Sequence, residues 1–267
     1  MHYPAHVADG MRGWSRRAEP FHVAGNIYFV GTNELAIYLI TTPAGHILLD
    51  SGLEDSVPVV RANVERLGFH FGDVKILLSS HAHADHVAGH AQVKALTGAR
   101  VLASAADAAV IRSGGGGPIA LDMKWPPTVV DGEVSDGQSV ALGGTVLVAH
   151  LTPGHTPGAT TWTTTVEDGG RRLAVVFFSS ATLFAEMPLS GNAEYPQIAA
   201  DFERSYAFWN AVPCDIPLGP HVAFFGLFAK RDRAARGETP NPFIDPTGWK
   251  QTIAAQEANF RRRLADK

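Results

Sequence analysis

The chain has 267 residues, 45% of them hydrophobic, so it can bury a sizeable core, and its formal charge of −4 comes from acidic and basic residues that are interspersed. That pattern excludes the basic stripe of a nucleic-acid binder and the polybasic patch of a membrane-surface protein. No apolar run approaches the roughly 20 residues that cross a bilayer.

Residues 1–20 show no apolar stretch of the kind a secretory leader carries. Cys214 is the only cysteine, which rules out an intramolecular disulfide and leaves a buried, inert thiol as the expectation. With no linker, repeat or low-complexity segment, residues 1–267 read as one domain. Twelve histidines stand out, and their grouping carries the argument.

In chain order, β-forming apolar runs that end at Gly, Pro, Ser or His predict strands at Asn26–Thr32, Glu34–Thr42, His46–Asp50, Val74–Ser80 and Arg100–Ser104. Further strands are predicted at Val146–Leu151, Leu173–Ser180 and Asp215–Gly219. Ile76-Leu77-Leu78 and Val175-Val176-Phe177-Phe178 are apolar on consecutive residues, so both faces of those strands should be covered. Helical spacing predicts Val57–Leu67, Asp85–Leu96, Ala105–Ile111, a helix with Ile198, Phe202, Tyr206 and Trp209 on one face, and a last helix from about Thr247. Strands covered on both sides by helices make a layered α/β sandwich. Arg112–Thr128, rich in glycine and proline, reads as a loop. It either flanks a pocket with Ile119, Leu121 or Trp125 or is a solvated connection.

The hexapeptide His81-Ala82-His83-Ala84-Asp85-His86 follows a buried strand and opens a helix, a place where α/β proteins put ligands. His81 and His83 point the same way in an extended turn because side chains alternate there. Asp85 and His86 sit where the chain rotates into the helix and can face a neighbouring point. Imidazoles with one carboxylate suit Zn²⁺. A single His or Asp here would be a surface or capping residue, but four such groups in six residues have no comparable structural role. His155, in Thr152-Pro153-Gly154-His155-Thr156-Pro157-Gly158, and His221, closing Leu218-Gly219-Pro220-His221, stand just past strands in the same way.

With Leu49-Asp50-Ser51-Gly52, the hexapeptide and these two turns in this order, nearly the whole chain resembles the metallo-β-lactamase superfamily. The resemblance implies a four-layer αβ/βα sandwich. It also implies two Zn²⁺ per chain, the first on His81, His83 and His155 and the second on Asp85, His86 and His221. Thioesterases of the glyoxalase II type, lactonases and RNA-processing nucleases in that superfamily place an Asp bridging the metals where this chain reads Phe178-Ser179-Ser180-Ala181-Thr182. Without that acid, and with both His83 and His86, the chain resembles the β-lactamases of subclass B3. Trp14, Glu19-Pro20-Phe21, Phe224-Phe225-Gly226-Leu227 and Pro240-Asn241-Pro242-Phe243 agree.

The implied reaction is hydrolysis of a small β-lactam by a metal-activated water. Asp85 would bind metal and orient the water or relay a proton, and Ser180 and Thr182 would meet the substrate carboxylate. In place of the lysine that another lactamase subclass uses for that carboxylate stands Leu183-Phe184-Ala185. Asp50 is the candidate for holding a ligand imidazole from behind, or a turn-forming Asp; His90 reads as packing. His2, His6, His22, His46, His70 and His150 receive no role. The resemblance also implies export to the periplasm and a part in antibiotic resistance, without nucleic-acid or membrane partners. Two rival readings stand beside this one: a lactonase or glyoxalase II-like thioesterase on the same scaffold, and a metal-binding protein without turnover.

Overall fold

The computed structural model describes residues 13–117, 123–184 and 187–266. Ile119, Leu121, Ala185, His2 and His6 lie outside the described residues.

Two mixed sheets face each other. The first runs β1 (Phe21–Ala24), β2 (Ile27–Phe29), β3 (Tyr38–Thr42), β4 (Gly45–Leu49), β5 (Val74–Leu78), β6 (Arg100–Ser104) and β7 (Gly132–Val134), in that spatial order. It is antiparallel from β1 to β4 and parallel from β4 to β7. The second sheet has β8 (Ser139–Leu142), β9 (Thr145–Leu151), β10 (Thr160–Asp168), β11 (Arg171–Phe177) and β12 (Ile216–Leu218), with β11 and β12 parallel and the others antiparallel.

The period-2 alternation of strands sorts their side chains between two cores. Tyr38, Ile40, Ile47, Leu49, Ile76 and Leu78 turn inward against Leu147, Trp162, Val175, Phe177 and Leu218 of the other sheet. Their neighbours Leu39, Leu48 and Leu77 turn outward and are covered by Val57, Val60 and Val64 of the helix Val57–Arg66 and by Val87, Val93 and Ala108. On the far side Val176 and Phe178 pack under Ile198, Phe202, Tyr206 and Trp209 and under Trp249, Ile253 and Phe260 of the helix Pro246–Ala265. The order of layers is therefore helix, sheet, sheet, helix. Trp162 is fully buried between the sheets, where truncation to Ala would cost about 3–5 kcal/mol.

The eight predicted strands are found; Arg100–Ser104 keeps its bounds, Val146–Leu151 begins one residue earlier, and the other six are trimmed at one or both ends. Phe21–Ala24, Gly132–Val134, Ser139–Leu142 and Thr160–Asp168 are additional strands. The helix expected over Asp85–Leu96 is two helices, Ala84–Val87 and His90–Thr97. The break falls at Gly89, whose N–H donates to Gly52 O at 2.9 Å. A Cβ at Gly89 would lie 2.5 Å from Val57 and 3.0 Å from Ser51 O, so the chain passes too close for any other residue. Leu227–Ala235 is a helix that periodicity did not indicate. Among the described residues no helix is long and apolar enough to cross a membrane.

Candidate metal centre

Strands β4 and β5 are parallel, and β9 runs in the direction of β11 and β12, so each sheet brings its chain exits to one edge. Asp50 follows β4, the hexapeptide follows β5, His155 follows β9, Ser180 and Thr182 follow β11, and His221 follows β12. Cross-sheet bonds hold these exits together. Thr160 N donates to Ser80 O at 2.8 Å, Trp162 Nε1 to Ser79 O at 3.0 Å, Tyr38 Oη to Gly219 O at 2.9 Å and Ala36 N to Pro220 O at 2.9 Å.

The six side chains expected from the sequence converge there as two triads. His81, His83 and His155 form one and Asp85, His86 and His221 the other, with the ligand atoms of each triad within 4.8 Å of one another. His81 and His86 join the triads, their ring centroids 4.1 Å apart. Asp85 Oδ2 lies 3.1 Å from His86 Nε2 and 3.3 Å from His221 Nε2.

Hydrogen bonds behind the rings settle which nitrogen is free. An ionised carboxylate and a carbonyl can only accept, so His86 Nδ1–H donates to Asp50 Oδ2 at 3.0 Å and His155 Nδ1–H donates to Thr182 O at 2.8 Å. The Ser80 hydroxyl donates to Asp50 Oδ2 at 2.8 Å, which leaves its oxygen to accept from His81 Nδ1–H at 3.2 Å. His81 and His155 therefore each turn a bare Nε2 away from their support, while His86 turns its Nε2 to Asp85 at 3.1 Å. Asp50 also takes the Ser80 N–H on Oδ1 at 2.7 Å. Its φ of +65° is a left-handed conformation that Asp tolerates better than most residues.

Electrostatics hold His81, His83, His155 and Asp85 in metal-binding forms, whereas at His86 a metal would have to displace a proton. Burial pushes the His81 and His155 imidazoles well below their usual range and takes His83 to about 4, leaving neutral rings. Burial alone would raise the Asp85 carboxyl, but His86 and the hydrogen bonds of His221 and His86 overturn this and hold it well below the usual carboxylate range. His86 is pushed up: Asp85 and Asp50 outweigh its burial.

The donor set fits metal ions rather than a self-contained polar cluster. Nε2 of His83 is buried and makes no hydrogen bond, a state that costs roughly 1–3 kcal/mol when nothing is coordinated. Five neutral-capable imidazoles and one carboxylate suit Zn²⁺.

The triads open into a cavity of about 230 Å³ whose other walls are Trp14, Met123, Trp125 and Phe184, with Ser180 and Thr182 at one side. No Lys or Arg lines it among the described residues. The Phe184 ring lies tilted against His155 and His83, with ring centroids 5.3 and 5.8 Å apart. Sequence reasoning missed Phe184 and Met123 as cavity walls and Ser80 as a support, since nothing in their local pattern marks them. Thr182 was expected to meet substrate through its hydroxyl; its carbonyl also orients His155. Asp50 takes the supporting place expected of it. His90 is a buried ring held by Ser51 Oγ at 2.8 Å and lies outside the two triads.

The sequence profile of the metallo-β-lactamase superfamily matches residues 31–168, which hold five of the six converging side chains. The chain belongs to the metallo-β-lactamase superfamily. Among solved members it is similar to the native FEZ-1 metallo-β-lactamase from Legionella gormanii, with 43% identity, a TM-score of 0.92, and 94% of this chain and 97% of that one covered. Similarity to BJP-1, a subclass B3 metallo-β-lactamase of Bradyrhizobium japonicum, is 38% identity at a TM-score of 0.90 over 96% of this chain and 97% of that one. The expected likeness to subclass B3 is thereby borne out, as is the sandwich fold of the superfamily.

A curated relative, the hydroxyacylglutathione hydrolase of Cereibacter sphaeroides, is 37% identical over 101 residues, 38% of this chain and 32% of that protein. The match thus spans about a third of that relative's length.

Proposed function

We propose that this superfamily member opens β-lactam rings, using two zinc ions held by His81, His83 and His155 and by Asp85, His86 and His221. The composition of the donor set carries this reading. Asp85 is the only carboxylate in the two triads, and Ser180 lines the cavity where superfamily thioesterases place a bridging acid. Likeness to metallo-β-lactamases along nearly the whole chain supports it further, whereas likeness to the thioesterases is confined to a segment.

Bound zinc would bring the acidity of a water to near neutrality and polarise the lactam carbonyl. The chain's own residues do the rest. Asp85, held ionised between His86 and His221, can take a proton and return it to the ring nitrogen as the amide bond breaks. Ser180 Oγ, which accepts from Thr182 N at 3.2 Å, keeps its own proton for the substrate carboxylate beside the Thr182 hydroxyl. Trp14, Met123, Trp125 and Phe184 exclude water and take the apolar substituents of the antibiotic. Asp50, Ser80 and the Thr182 carbonyl keep the imidazoles aimed. By the same reading the protein works in the periplasm and confers resistance to β-lactam antibiotics.

The test is one substrate panel on zinc-loaded protein: a chromogenic cephalosporin, a carbapenem, a lactone and a glutathione thioester, each with and without chelator. Chelator-sensitive cleavage of the two lactams alone is expected, with two zinc per chain by elemental analysis. Turnover of the lactone or thioester without lactam cleavage would refute the assignment. His83→Ala should abolish activity and lower the zinc content.

A further inference from the structure

Outside the two triads, one buried carboxylate touches both loops that carry the three-histidine triad. Asp107 lies in the first turn of the helix Ala105–Ser113 and is 3% exposed. Thr156 Oγ1 donates to its Oδ1 at 3.4 Å, and the backbone N–H groups of Ala82 and Gly158 face the same carboxylate. Ala82 stands between His81 and His83, while Thr156 and Gly158 flank His155.

The cap of this helix reinforces the joint. Ser104 Oγ accepts from Asp107 N at 3.4 Å and donates to Gly158 O at 2.7 Å. A Cβ at Gly158 would sit 2.2 Å from Asp107 Oδ1, so the turn approaches the carboxylate as closely as glycine allows. Burial pushes this carboxyl up to about 7, with the neutral donors Thr156, Ala82 and Gly158 pulling the other way. Among the described residues the side-chain hydrogen bonds of Asp107 go to Thr156, Ala82 and Gly158, and none goes to Asp85, His86 or His221.

We infer that Asp107 is a positioning residue that locks the His81–His83 loop to the His155 turn and so sets the zinc affinity of that triad alone. The inference rests on reading the triads as zinc sites, and it is independent of which bond the enzyme cleaves. Outer supports of metal ligands commonly change metal affinity roughly 10–100-fold, and that is the expected effect.

The experiment uses two single-triad parents, His86→Ala, which keeps the three-histidine triad, and His83→Ala, which keeps the other. Zinc affinity is measured by competition with a chromophoric chelator. Adding Asp107→Ala should weaken zinc roughly 10–100-fold in the His86→Ala parent and leave it within about twofold in the His83→Ala parent. Asp107→Asn, which keeps an acceptor oxygen for Thr156 and the backbone donors, should recover most of the loss. Equal weakening in both parents, or none in either, would overturn the inference. Parents that bind no zinc would overturn the zinc reading and this inference with it, whereas a failed lactam panel on zinc-binding protein would touch only the proposed substrate.

Discussion

Replacing Asp50 separates the support of a metal ligand from the stability of the fold. Asp50 is 1% exposed and accepts three hydrogen bonds, from Ser80 N, Ser80 Oγ and His86 Nδ1. In Asp50→Asn the oxygen facing Ser80 N remains, and an amide NH₂ takes the place of Oδ2. The Ser80 hydroxyl can turn and accept from it. His86 Nδ1–H cannot, because two donors would then meet; the ring must shift its proton to Nε2 and lose the lone pair that a metal needs. The expected result is a normally folded protein in which zinc at the proposed Asp85–His86–His221 site binds roughly 10–100-fold more weakly, or about 1.4–2.8 kcal/mol.

Asp50→Ala adds a stability cost. The buried donors of Ser80 and His86 lose their acceptor at about 1–3 kcal/mol each, and a φ of +65° costs an alanine about 1 kcal/mol more. Allowing for partial relaxation, a loss of about 3–6 kcal/mol is expected, a large share of the total stability of an ordinary domain. Urea unfolding of the metal-free proteins measures the second quantity and zinc competition the first. If the Asn variant bound both zinc equivalents as tightly as the parent, or the Ala variant lost under about 1 kcal/mol, the supporting role of Asp50 would be refuted.

Four further outcomes are expected. Asp107, raised by burial to about 7 from the usual 3.8, holds a proton in the folded chain that the unfolded chain releases. Its contribution to stability is therefore intact below pH 4 and falls as pH rises towards 7, by about 4 kcal/mol at 1.36 kcal/mol per unit. In chelator, Asp107→Asn should lack this slope and gain on the parent between pH 5 and 8 in urea unfolding; parallel curves would contradict the assignment. Ser180→Ala should raise KM for penicillins about fivefold with little change in kcat, the size of one neutral hydrogen bond of about 1 kcal/mol. With no cation in the described cavity wall, the parent's own KM should be moderate, and sub-micromolar constants for several penicillins would count against a hydroxyl-only carboxylate site. Gly154→Ala, at φ +137° with its Cβ 2.6 Å from the Phe202 ring, should lower Tm by several degrees and reduce zinc retention; an unchanged melting curve would show that the turn yields freely.

Strand and helix periodicity was readable wherever one face meets a core, as in Ile76-Leu77-Leu78 or in Ile198, Phe202, Tyr206 and Trp209. It failed where polar residues are buried. In Thr160–Asp168, Thr160 and Thr161 are buried, Thr161 bonded to Thr152 and Trp209, so the strand does not read as apolar. Gly89 looked like a tolerated helix residue, and only the approach of Ser51 and Val57 shows why the helix stops there.

The residues alone made the candidate chemistry legible: six side chains able to bind metal, their order along the chain, and the absence of an acid at Ser180. Ligand type is a property of single residues, and the hexapeptide brings four of them together through local backbone geometry. The tertiary structure decided how they are used. It brings His155 and His221 from strands far away in sequence to the same edge. It also sets which ring nitrogen is free through Asp50, Ser80 and the Thr182 carbonyl, and walls the cavity with Trp14, Met123 and Phe184. Those are contacts between segments that no local pattern encodes, because they depend on which strand exits two facing sheets bring together.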